Sequence, residues 1–187
     1  MKILYHHRTR GDGAEGVHIS EIISALQSLG HHVDVVCPRT AVRSPGLASA
    51  GNGNGRKKAS PLRTFAKQVG EVAYNVVSYY RVRRGVKKFQ PDFIYERYSS
   101  FNFGGIAAAS HMGVPVILEV NATFAGKFGS RDAVHLPVIL KKTERYCLQN
   151  ADGIIAVSNA LKECICEQDV AADRVTVSPN AVDAKRV

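Results

Sequence analysis

Short apolar runs alternate with segments of helical period along the whole chain, and this limits the fold more than any other feature. The runs lie at residues 3–5, 33–37, 93–95, 116–120, 154–157 and 175–177. Runs of Ile, Val and Leu without polar alternation are strands buried on both faces, the habit of parallel sheets covered by helices. The intervening helices are expected at 17–29, from 62 to about 88, at 104–111, from about 136 to 148 and from 159 to about 167. The first carries Ile19, Ile22, Ile23, Leu26 and Leu29 on one face, and Gly30 stands where a C-terminal cap glycine belongs. In the second, Leu62, Phe65, Ala66, Val69, Ala73, Val76, Val77 and Tyr80 form the expected buried stripe. Leu136, Ile139, Leu140, Thr143 and Cys147 stand at helical spacing in the fourth, and Ser158 is placed to cap the fifth. Right-handed crossovers then give a doubly wound, Rossmann-like three-layer α/β/α domain with a mostly parallel sheet. A length of 187 residues suits one such domain. Residues 39–61, including Gly51-Asn52-Gly53-Asn54-Gly55, read as a flexible loop.

Several classes are excluded. No apolar run approaches the roughly 20 residues that span a bilayer. The opening Met1-Lys2-Ile3-Leu4-Tyr5-His6-His7 turns polar too soon for a signal peptide, so a cytoplasmic location is expected. Cys37, Cys147, Cys164 and Cys166 form no CxxC pair and fit no common zinc spacing, so free thiols are expected. The pairs His6-His7 and His31-His32 lie on strands, where neighbours point to opposite faces, so they read as strand-end and surface residues rather than chelates. No metal site is expected.

The net charge of +9 belongs to one element: residues 56–88 hold ten Lys or Arg and a single acid, Glu71. Arg56-Lys57-Lys58 precede the long helix, and Arg63, Lys67, Arg81, Arg83, Arg84, Lys87 and Lys88 decorate it, with Tyr74, Tyr79 and Tyr80 among them. Such a surface is either a solvated face or a patch for an anionic membrane. No DNA or RNA motif accompanies the charge, so nucleic acid is not expected as a partner.

Gly11-Asp12-Gly13-Ala14-Glu15-Gly16 follows the first strand and opens a helix. The spacing is that of a dinucleotide-binding loop, whose glycines let backbone N–H groups approach a phosphate at the helix N-terminus. However, His6 to Arg10 separate the strand from the first glycine, and Cys37-Pro38-Arg39 stands where an acid would bind the ribose. Arg39 would suit a 2′-phosphate, so an NAD(P)-binding oxidoreductase domain stays open beside a purely structural glycine turn.

Gly13-Ala14-Glu15-Gly16-Val17-His18 with Leu29-Gly30-His31-His32-Val33-Asp34-Val35-Val36 resembles the start of GT-B glycosyltransferases of family 4. Residues 91–99 (PDFIYERYS), 113–121 (GVPVILEVN), 151–158 (ADGIIAVS) and 175–183 (VTVSPNAVD) resemble the family's later blocks in order, the second and third of these five being similar to members that act on bacterial surface polysaccharides. In that family the last block marks the hinge into a second domain; here Ala181 stands in place of the usual glycine. The resemblance therefore implies a GT-B N-terminal domain at 1–178 and the start of the hinge at 179–187. The donor-binding C-terminal domain would follow, and the chain alone would be inactive.

The same resemblance implies a retaining glycosyl transfer, without cofactor or metal, from a nucleotide-diphosphate sugar to a glycan or lipid-linked acceptor in cell-envelope or exopolysaccharide synthesis. Gly13 and Gly16 would approach the donor diphosphate, and Glu15 and His18 would line the acceptor side. Glu96 and Arg97 would face the same cleft, with Arg97 either binding an acidic acceptor as a fork or forming a structural ion pair. Asn121 stands where several members carry a histidine and would hydrogen-bond the acceptor. Glu119 would serve as an anion near the reacting centre, catalytic in role, or as an orienting carboxylate. Strand alternation puts it on the same side as Asn121. Lys127 and Arg131 are further acceptor candidates. The third reading is a non-catalytic binding module.

Overall fold

A computed structural model describes residues 1–9, 14–38, 60–124 and 134–179. Outside the described residues lie Gly11 and Gly13, the stretch 39–59 with Arg56-Lys57-Lys58, Lys127, Arg131, and the hinge segment from residue 180 onward.

The chain runs β1 (Lys2–His6), α1 (Ala14–Ser28), β2 (His32–Val36), α2 (Pro61–Phe89), β3 (Phe93–Arg97), α3 (Gly104–Met112), β4 (Val116–Val120), α4 (Pro137–Asn150), β5 (Gly153–Ala156), α5 (Asn159–Cys166) and β6 (Val175–Val177). The strands form one parallel sheet in the order β2-β1-β3-β4-β5-β6. This is the expected Rossmann-like α/β fold. The winding reverses between β1 and β3, and the carboxyl ends of strands at such a reversal are where open α/β sheets take their ligands.

The two sheet faces are covered unequally. Leu4, Ile94, Val116, Leu118, Val120, Ile154 and Ala156 join residues of α2, α3, α4 and α5 in the larger core. Ile3, Tyr5 and Tyr95 pack on the other face against Ile19, Ile22, Ile23 and Leu26 of α1. Leu29, expected on that α1 face, is 73 % exposed instead. It follows the last helical residue, where the chain turns away. Gly30 (φ 82°) caps the helix, and the N–H of His31 reaches back to the Leu26 carbonyl at 3.1 Å. Ser158 caps α5 as expected, accepting from Leu161 N at 3.2 Å.

Helix α2 faces the opposite way from expectation. All eight residues of its apolar stripe are exposed, Leu62 at 77 % and Val76 at 61 % among them. Its buried residues are Gln68, Asn75, Ser78, Val82 and Val86. The reason lies in the helix ends it meets. Neither α3 nor α4 has a side-chain cap of its own, and free N–H groups at a helix start need acceptors. Asn75 Oδ1 accepts from Phe103 N at 2.7 Å and Gly104 N at 2.8 Å, while its Nδ2 donates to the carbonyls of Phe101 and Val72. Gln68 Oε1 accepts from His135 N at 2.9 Å and Leu136 N at 3.2 Å. A polar buried face thus caps two neighbouring helices, and the apolar stripe is turned outward.

Candidate active site at the carboxyl edge of the sheet

Three side chains, from α1, the end of β3 and the residue just past β4, meet on the carboxylate of Glu119. Arg97 ends β3 and stands in register with Glu119 of β4. Strand alternation turns both toward the α1 face. Glu119 Oε1 accepts from Arg97 Nη1 at 2.7 Å and from Asn121 Nδ2 at 2.6 Å, and lies 3.0 Å from His18 Nε2. Glu119 is only 2 % exposed. A carboxylate this deep needs compensating donors, and three on one oxygen hold it in a single orientation. Beneath it Tyr5 and Tyr95 stack with ring centroids 5.0 Å apart. Burial first, and the charge of Glu119 second, push both phenols above their usual range.

Four of the sequence-predicted residues, His18, Arg97, Glu119 and Asn121, are therefore neighbours. Glu15 is exposed in the first turn of α1 and makes no bond to the cluster; Gly16 is half-buried beside it. Gly13 and Lys127 fall outside the described residues.

Glu96 does not share the cleft with Arg97. Period-two alternation sends it to the other face, where Oε2 lies 2.5 Å from His6 Nδ1 and Oε1 accepts from Asn102 Nδ2 at 3.1 Å. His6 Nε2 lies 3.2 Å from Ser78 Oγ of α2. His6 and His7 are strand-end residues as expected, but both are buried rather than on the surface. The β1 carboxyl end is roofed by α2 on one side, and on the other His7 meets Tyr5 edge to face. Burial pushes His7 down to about 4, so its imidazole is neutral at neutral pH.

Sequence reasoning missed a third buried carboxylate, beyond Glu119 and Glu96. Glu144 Oε2 accepts from Tyr98 Oη at 2.8 Å and Phe124 N at 2.6 Å, and Oε1 from Gln168 Nε2 at 3.1 Å. It pins the backbone at Phe124, in the segment that follows β4. Its spacing was a usable signal, since it stands four residues beyond Leu140 on the buried face of α4. All four cysteines are unpaired. Among the described residues no group of three or more His, Cys, Asp or Glu is placed to hold a metal ion.

The model of Glycosyltransferase Family 4 matches residues 15–186. A comparison with curated proteins finds no match. Among solved structures, S. aureus MnaA in a co-structure with UDP superposes with a TM-score of 0.62 and 15 % identity, over 96 % of this chain and 44 % of that one. The UDP-GlcNAc 2-epimerase from Neisseria meningitidis bound to UDP-GlcNAc gives 0.63 and 14 %, over 96 % and 46 %. Anabaena Alr3699/HepE in complex with UDP gives 0.52 and 16 %, over 98 % and 45 %. At these identities the likeness is one of fold. The chain spans less than half the length of each of these structures.

Proposed function

The chain belongs to Glycosyltransferase Family 4, and on that premise we propose that it is the acceptor-side, N-terminal half of a retaining GT-B glycosyltransferase. The observation that carries the reading is the convergence of His18, Arg97 and Asn121 on Glu119 at the carboxyl edge, beside the crevice where open α/β sheets take their ligands. In this reading a nucleotide-diphosphate sugar binds across the crevice, largely on a second domain. Gly13, Gly16 and the start of α1 approach its diphosphate from this side. His18, Arg97 and Asn121, joined by Glu15 and Lys127, orient a glycan or lipid-linked acceptor of cell-envelope synthesis. Glu119, proposed from sequence as the catalytic anion, acts through the donors on its Oε1: it positions them and keeps their charge balanced. Neither metal nor redox cofactor has a part in this scheme, and without the donor half the 187-residue chain does not turn over.

The test is the full-length gene product, supplied with radiolabelled nucleotide sugars and a membrane-lipid extract. Label moving into lipid or polymer, with release of nucleoside diphosphate, is the expected result. Donor epimerisation without transfer, or NADPH oxidation, would replace this reading.

The long helix supports a peripheral place on an anionic membrane. Among the described residues no helix is long and apolar enough to cross one. Leu62, Phe65, Val69 and Val76 on α2 and Val138 and Ile139 on α4 are exposed. The ring of Phe65 meets that of His135, just before α4, at 6.4 Å, which brings the two helix starts together. Arg63, Lys67, Lys141 and Lys142 are exposed on the same two helices. Apolar side chains rimmed by cations match a lipid interface, and each cation near an anionic surface contributes about 1 kcal/mol. The chain is expected to cosediment with phosphatidylglycerol vesicles, less so in high salt, and the variant L62S/V69S/V76S to lose most of that binding. Cosedimentation no better than that of an unrelated protein of net charge +9 would count against the face.

A further inference from the structure

We propose that Arg8 is a binding residue for a phosphate oxyanion at the carboxyl end of β1, on the α2 side of the sheet. Leu4, His6 and Arg8 alternate toward that side, and α2 receives the last two through Ser78 and Tyr74. The guanidinium lies over the ring of Tyr74, 4.6 Å from its centroid. Tyr74 is itself fixed: Arg81 Nη1 donates to its hydroxyl at 3.2 Å and to the carbonyl of Cys37, just past β2, at 3.0 Å. Arg8 is therefore held on a rigid aromatic plate that bridges the ends of β1 and β2.

Its charge is not answered there. Nη1 of Arg8 is buried and, among the described residues, has no hydrogen-bond partner. Buried polar atoms are nearly always paired, and an orphan on a cation is the costliest kind. Burial lowers the pKa of Arg8, with the nearby charge of Glu71 only partly offsetting it. Glu71 pairs instead with Lys67 at 3.7 Å. A water would satisfy one N–H and leave the charge unbalanced. A phosphate supplies acceptor oxygens and negative charge together, in the two-pronged geometry that a planar guanidinium fits.

The site lies beside the crevice proposed for glycosyl transfer, and the inference rests on that reading only for where the phosphate comes from. Two sources share the chemistry: the diphosphate of a nucleotide-sugar donor, or that of a lipid-linked acceptor. Calorimetric titration of the 187-residue chain with inorganic pyrophosphate, UDP and geranyl diphosphate separates them. Pyrophosphate is expected to bind, Arg8→Ala to weaken it about tenfold or more, and Arg145→Ala, which removes an exposed cation on α4, to leave it unchanged. UDP binding more tightly than pyrophosphate assigns the site to the donor; geranyl diphosphate doing so assigns it to the acceptor. No pyrophosphate binding at millimolar concentration, or equal losses in Arg8→Ala and Arg145→Ala, overturns the proposal. Should Arg8→Ala lose its circular-dichroism signature, Arg8→Lys decides. It keeps the charge without the fork, and unchanged affinity there is equally fatal. The pyrophosphate arm involves no sugar transfer, so its result is independent of whether the full-length protein is a transferase.

Discussion

Gly104→Ala is expected to destabilise the domain by about 3 kcal/mol, which lowers the melting temperature of a domain this size by roughly 6–12 °C. A Cβ at Gly104 would stand 3.1 Å from both the Cα and the carbonyl carbon of Asn75, and nearer still to its carbonyl oxygen. These atoms are backbone inside α2, so no rotamer change relieves the contact. Separating α2 from α3 to make room would also pull Asn75 Oδ1 away from Phe103 N and Gly104 N, uncapping α3. Gly70→Ala is the internal comparison. That glycine lies within α2 with nothing within 4 Å of its Cβ position, so alanine there should stabilise by roughly 0.5–1 kcal/mol through helix propensity alone. Urea unfolding of the two variants checks the pair of signs. A cost below about 1 kcal/mol for Gly104→Ala would mean that α2 and α3 separate easily.

Glu119→Ala should cost about 3–5 kcal/mol, because removing one partner of a buried ion pair strands the other. The stranded group is Arg97, whose side chain is 11 % exposed. His18 and Asn121 lose their common acceptor at the same time. The double variant Glu119→Ala/Arg97→Ala is therefore expected to be less destabilised than the sum of the two singles, a coupling that a double-mutant cycle on urea midpoints reads directly. Additive effects would show that the contact is not a coupled unit, and would remove the argument that Glu119 positions the other three residues. Glu119→Gln retains the shape but loses the charge, and should fall between wild type and alanine.

Much of the architecture was legible before any coordinates. The apolar runs gave six strands, and the helical segments between them gave the winding, because a strand that is apolar on both faces must be buried on both. The site was legible through resemblance, and strand alternation alone put Glu119 and Asn121 on one side. The same rule, applied to Glu96 and Arg97, would have separated them; grouping them in one cleft neglected the period of two. Arg8 offered little signal, since a cation before a glycine-rich loop looks like many others until its burial and lack of a partner are seen.

Helix α2 marks the boundary most clearly. Its periodicity correctly showed one apolar and one polar side, and the usual rule assigned the apolar side to the core. That rule weighs hydrophobic burial alone. It cannot register that α3 and α4 begin without caps of their own, which makes Gln68 and Asn75 worth more inside than Leu62 and Val76. The sequence by itself determined the elements and their parallel sheet, because these depend on local periodicity and chain connectivity, while resemblance named the residues proposed for the carboxyl edge. Only the tertiary structure decided which side of α2 faces inward and which donors reach Glu119. Both depend on hydrogen-bonding groups that other elements leave unsatisfied, and a local pattern carries no record of those.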